Sequence, residues 1–302
     1  MSTTRWLRSI PGILAAASLI ATAVVSAQGD RITIQLMPKP NQVVRYHTVQ
    51  EVRFALPSPG APADPSPSPP GSGAIVVATE SLHTLSVGAP DAQGHAEARF
   101  TYDQITMQMS LNGQPMPLPL PTDAIVRQPF TAVLDRDGRM IDVKGTDENA
   151  GVMATIKPLL TSALSGPSSV TLAPGETSTV PLSAELALPL PGANASPMVL
   201  TGEMKYTLVS VEGGNAGRIA HLTTTMTGRV VAQQIQTPAG TMSMAMTMTG
   251  DGTLDVNGDR GIVTLRKQRQ AIDIEIEPGA AAGTALPAMK MSGTITVTVS
   301  AE

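Results

Sequence analysis

The feature that most limits what this chain can become is a repeat of period two. Ile272, Ile274 and Ile276 alternate with Asp273, Glu275 and Glu277, and Ile295, Val297 and Val299 alternate with Thr294, Thr296 and Thr298. Successive side chains of an extended chain point to opposite faces, so each segment reads as a strand with one buried and one wetted face. The same alternation runs through 43–54, 75–87, 97–111, 129–144, 198–211, 218–235 and 241–256, with Gly, Asn and Asp at the joints. These runs predict roughly ten strands joined as sequential hairpins. The expected fold is therefore mainly β: an antiparallel meander forming a curved sheet, half-barrel or barrel.

Departures from the alternation are as informative as the pattern. In 97–111 the apolar phase moves from Ala98, Phe100 and Tyr102 to Ile105, Met107, Met109 and Leu111, which predicts a β-bulge near Asp103 and Gln104. Between Thr146 and Leu164 the apolar residues recur at three and four, with Asp147 near the start and Gly166-Pro167 beyond the end, which predicts one helix near 147–165 kinked at Pro158. That helix would cap an open sheet. Residues 57–73 hold seven Pro and three Gly and read as a solvated loop within a single β-rich domain spanning 28–302. Two Pro-spaced segments, 114–121 and 188–197, lack the donors for a full ladder and read as loops or edges.

The N-terminal 27 residues read as a secretory signal: Arg5 and Arg8, an apolar run from Ile13 to Val25, then the small-residue site Val25-Ser26-Ala27. The run is shorter than the ~20 residues of a spanning helix, so no transmembrane span is expected once the signal is cleaved. A periplasmic or secreted bacterial protein is the expectation. Cleavage removes two Arg and no acid, which takes the formal charge from −4 to −6 and argues against nucleic acid as a partner. Only six aromatics would follow Ala27, too few for base-stacking platforms or for the two aromatic girdles of an outer-membrane barrel. With no Cys, thiol catalysis and thiolate metal sites are excluded.

Candidate binding residues come from the alternation itself. Met242, Met244, Met246 and Met248 would project four thioethers from one face of a strand, and Met107/Met109 and Met289/Met291 repeat the spacing elsewhere. Three readings stand: adaptable core filling in a chain short of Phe and Trp, a deformable wall for an acyl chain or other apolar ligand, or soft ligands for Cu(I). Arg266, Lys267 and Arg269 form a dense basic cluster, read either as a solvated turn or bulge or as a contact for an anionic group. His47 and His221 share their strand faces with charged residues and with threonines, so solvated positions are expected, and the four histidines lack metal-site spacing. Asp255-Val-Asn257-Gly-Asp259 starts like a calcium loop but has Arg260 where the sharp-turn Gly belongs, so it reads as a hairpin turn. Asp135-Arg-Asp137-Gly138 reads as another. No nucleophile elbow, Walker loop or dinucleotide fingerprint is present, so neither an enzyme nor a cofactor is expected.

LDRDGRMIDVKG, the 146–164 segment, LAPGETSTV and MKYTLVSVEGGNAGRIAHL resemble an uncharacterised family of bacterial exported β-rich envelope proteins over residues 130–275. In that family the turn matching Pro174-Gly175-Glu176-Thr177 runs on into an aromatic, whereas here Ser178-Thr179-Val180 follows. The resemblance implies a curved antiparallel sheet similar to those of periplasmic lipid and lipoprotein carriers, and it carries over no catalytic residue. The expected function is binding of an apolar ligand, lipid or lipoprotein-like, or of an envelope protein partner. A structural or interaction module with a filled core is the alternative.

Overall fold

The computed structural model describes residues 31–55, 73–116, 126–136, 140–144, 169–186, 198–214, 217–237, 240–278 and 289–302. Among them are fourteen strands and no helix: β1 Ile32–Gln35, β2 Val43–Ala55, β3 Ala74–Val87, β4 Ala96–Leu111, β5 Gln114–Met116, β6 Pro129–Leu134, β7 Met140–Lys144, β8 Ser169–Leu172, β9 Thr177–Leu186, β10 Met198–Gly214, β11 Gly217–Thr237, β12 Gly240–Asn257, β13 Ile262–Pro278 and β14 Met289–Ala301. The expected signal, nearly all of the Pro-rich loop and the helix near 147–165 lie outside the described residues, as do most of 114–121 and all of 188–197.

Twelve strands form one open antiparallel sheet in the order β7-β6-β4-β3-β2-β14-β13-β12-β11-β10-β9, with β5 paired to β4. Two meanders, β2 to β7 and β9 to β14, meet where β2 lies against β14. The alternation fixes which side is which. Every second residue of β13, from Gln268 to Ile276, faces inward, and Lys267, Arg269, Asp273, Glu275 and Glu277 are exposed on the outer face. That outer face is a lattice of Thr and ion pairs, such as Lys290–Glu275 at 2.7 Å and His47–Glu80 at 2.7 Å. A bilayer-spanning barrel presents an apolar band outward, so the polarity here is the reverse of one.

The bulge expected near Asp103 is present. Tyr102 pairs with His83 and Gln104 with Leu82, leaving Asp103 unmatched, so Phe100 and Ile105 both face inward despite their odd spacing. A second shift, between Asp255 and Val256, leaves Thr264 unmatched and explains the change of phase ahead of Arg266. Both hairpins read from Asp-rich turns pair as expected, β6 with β7 and β12 with β13. In the second, the Arg260 amide donates to Asn257 Oδ1 at 3.1 Å, and Gly261 at φ 70° closes the turn where a Cβ would stand 1.7 Å from the Met37 carbonyl.

At several inward positions only glycine fits. A Cβ on Gly202 would lie 2.0 Å from the Thr227 carbonyl oxygen, one on Gly252 2.4 Å from that of Lys267, and one on Gly293 2.5 Å from the Phe54 ring. A strand bending toward a face crowds the Cβ atoms there, which glycine alone avoids.

The core is in three parts. Val44, Tyr46, Leu85, Phe100 and Phe130 form one cluster beneath β2 to β6. Leu182, Leu200, Val230, Met244, Met246, Met248 and Ile272 form a second. The third is sealed by the separate β1–β8 ribbon, whose Ile34, Val170 and Leu172 pack on Leu208, Leu222 and Val256. Neither strand of that ribbon, nor β9, is signalled by the alternation.

Candidate functional site

Strand register places the inner-face residues in lateral rows. One row crosses eight strands as Thr79, Gln50, Val297, Gln268, Gly252, Thr224, Tyr206 and Ser178. Thr79, Gln50, Gln268, Thr224 and Ser178 in it are polar, Val297 and the buried Tyr206 ring are its bulky members, and Met107 continues the row onto β4. On one side of this belt lie the first and third core clusters, and on the other lies the methionine-rich cluster. The inner face is therefore apolar at both ends of its strands and polar across the middle.

All eight candidate methionines share this face. Met246, Ile274 and Met291 form one lateral row, and Met244, Ile276 and Met289 the next. Met244, Met246 and Met248 are buried, Met242 and Met291 half-buried, and Met289 is 41% exposed. Met107 and Met109 are half-buried on β4, five strands from β12. At about 4.8 Å per strand that is a separation of roughly 24 Å around the sheet, so they line the same face without joining the same cluster. Sequence spacing on one strand did not point to Met226, buried beside Met204 in the adjacent row on β11 and β10.

The basic cluster is divided by the sheet. Lys267 and Arg269 are exposed on the outer face, while Arg266 alone turns inward, aligned with Val299 and Leu254. The three residues therefore do not share one face, because neighbours one apart on a strand face opposite ways. The solvated turn is corrected, since 266–269 lie within β13.

Arg266 lies beside the polar belt. Its Nη2 donates to Gln268 Oε1, and Gln268 is 6% exposed. Burial draws the guanidinium below its ordinary pKa, with Tyr206 opposing. Burial raises the Tyr206 phenol in turn, with the Arg266 charge pulling it back. Gly250 and Gly252 on β12 stand beside Gln270 and Gln268, and the Gln270 Cγ would be 2.9 Å from a Cβ on Gly250. The two glycines leave the space these amide side chains occupy.

His47 and His221 are outward, as expected: His47 Nε2 lies 2.7 Å from Glu80 and His221 Nδ1 lies 2.8 Å from Asp255. His83 is turned inward between Tyr46 and Tyr102, each with a ring centroid 5.6 Å away. Counting by twos along β3 from Leu85 would have found it. Among the described residues no group of three His, Asp or Glu is arranged to hold a metal ion.

No family model and no curated protein sequence matches the chain. Among solved structures it is similar to one of lipid-protein interactions in lipovitellin, at 12% identity and a TM-score of 0.49. That match covers 87% of this chain and 25% of the other, so the chain spans about a quarter of that relative's length. It is also similar to the β domain of the Bordetella autotransporter BrkA, at 8% identity and a TM-score of 0.22, covering 86% of this chain and 99% of that one. A substituted porin of Rh. blastica matches at 6% identity and a TM-score of 0.23, covering 86% and 100%.

Proposed function

We propose that this chain is an exported, non-enzymatic envelope protein, periplasmic or secreted, that holds an apolar, lipid-like ligand against the inner face of its sheet. The observation that carries the reading is the incomplete burial of a contiguous apolar wall. Val52, Phe54, Ile75, Val77, Met109, Met291 and Ile295 adjoin one another across β2, β3, β4 and β14, and all remain half-buried. Apolar surface left partly wet on a concave face has the character of a binding wall, and methionine lets such a wall adapt to varied guests. The tight packing of Met244, Met246 and Met248 favours the second reading, an interaction module with a filled core.

Native mass spectrometry of the protein purified from a bacterial periplasm separates the two. Extra mass that is lost on denaturation and matches a lipid is the expected result and names the ligand class. A clean apo mass overturns the carrier reading in favour of the filled-core module. A stoichiometric adduct on adding Cu(I) would instead make the thioethers a metal site.

A further inference from the structure

We infer that the inner face carries an anion-binding site at Arg266 and Gln268, and that its ligand is a long-chain amphiphile with one anionic head group. This rests on the reading of the inner face as a ligand wall and adds the polarity and orientation of what binds there.

The distribution of charge carries the inference. Glu51, Glu80, Glu97, Asp142, Glu203, Glu212, Asp251, Asp255, Asp273, Glu275 and Glu277 fall on outward registers, and Asp103, unmatched at the bulge of β4, meets Arg45 and Thr84 on the outer face. Arg266 is the cation turned to the inner side away from the strand ends, and no carboxylate among the described residues pairs with it. The other inward-register cation, Arg218, begins β11 and is held by Asp259 at 2.6 Å. Arg266 is half-buried, and a partly desolvated cation without a counterion carries a cost that an anion arriving from outside reduces. Gln268 receives one guanidinium hydrogen bond and so orients the fork, leaving its other donors free to bind two oxygens of a carboxylate or phosphate.

The surroundings set the direction of the tail. Along the inward register of β13, Gln268 and Gln270 come next, then Ile272, Ile274 and Ile276 beside the methionines. From Arg266 to Ile272 is six residues, about 20 Å at 3.3 Å per residue. A head at Arg266 would thus lay its chain past the two glutamines, over Gly250 and Gly252, and onto the methionine-rich end.

The test uses the full chain, purified from a bacterial periplasm and delipidated, with fluorescent cis-parinaric acid as probe. Oleate, oleoyl-lysophosphatidate and methyl oleate serve as competitors. Both acids should displace the probe at least about tenfold more tightly than methyl oleate, and their order distinguishes a carboxylate head from a phosphate head. Arg266→Gln should weaken both acids by about tenfold or more and leave methyl oleate unchanged, while Arg266→Lys should retain most of the preference. Equal displacement by acid and ester overturns the anion site while the apolar wall stands, and this comparison needs no variant. Wild-type affinity for the acids in a folded Arg266→Gln also overturns it. No binding of the probe or of any competitor overturns the ligand reading beneath it.

Discussion

His83 is the residue at which the inner face and solution pH meet. Its ring lies between Tyr46 and Tyr102 and 6.2 Å from Phe100, and its Nδ1 is buried without a hydrogen-bond partner. Burial lowers its pKa from 6.5 to about 4, and the nearby Asp103 carboxylate only partly opposes this. The folded state thus favours neutral imidazole, whereas the unfolded chain takes up a proton near 6.5. Stability from this group is complete above pH 6.5 and is lost as the pH falls toward 4, by up to about 3 kcal/mol. Urea unfolding at pH 7 and pH 4.5 should show that loss in the wild type. In His83→Phe, which keeps a ring among the tyrosines, the loss between the two pH values should shrink by about 2 kcal/mol. An unchanged difference would show that other groups set the acid sensitivity.

At the level of the strand, local rules were legible and non-local ones were not. The Asp103 bulge could be read because inward Phe100 and inward Ile105 cannot both fit a strict period of two. The paired turns could be read because Asn, Asp and Gly have few other uses between apolar runs. The candidate site was half legible. The four methionines on β12 share a face because they alternate, whereas proximity in sequence groups Arg266 with Lys267 and Arg269 although counting back by twos from Ile272 separates them. Bending was not legible, because a glycine that makes room for its neighbours looks in sequence like one that only loosens a strand. Two glycines of β10 test that difference. Gly202→Ala places a methyl group 2.0 Å from a backbone oxygen, and should cost about 1–3 kcal/mol in chemical denaturation. Gly213→Ala meets nothing within 4 Å and should be neutral or slightly stabilising. Equal effects would mean that the sheet does not depend on its inward glycines to bend.

Across the whole molecule, the ladder between β2 and β14 matters most. Nine residue pairs, from Gly293 with Phe54 to Ala301 with Tyr46, join the second described strand to the last. No local signal specifies that pairing, since β2 would satisfy the same alternation at a sheet edge. The pairing makes β14 a central strand, although it is the last in sequence. It also joins the two meanders, since Val299 and Ala301 pack against the cluster under β2 and β4 while Ile295 packs against the methionine-rich one. A contact so distant in sequence forms late, after the loop-closure entropy of the intervening chain is overcome. A chain ending at Pro278 would therefore keep both meanders but lose the strand that unites them, exposing β2 and β13 as unpaired edges. It should lose the single cooperative urea transition and associate on size-exclusion chromatography, with its inner-face ligand lost at the same time. A monomer that retains the full-length transition midpoint would mean that each meander is stable by itself, and that the inner face does not need β14 to be assembled.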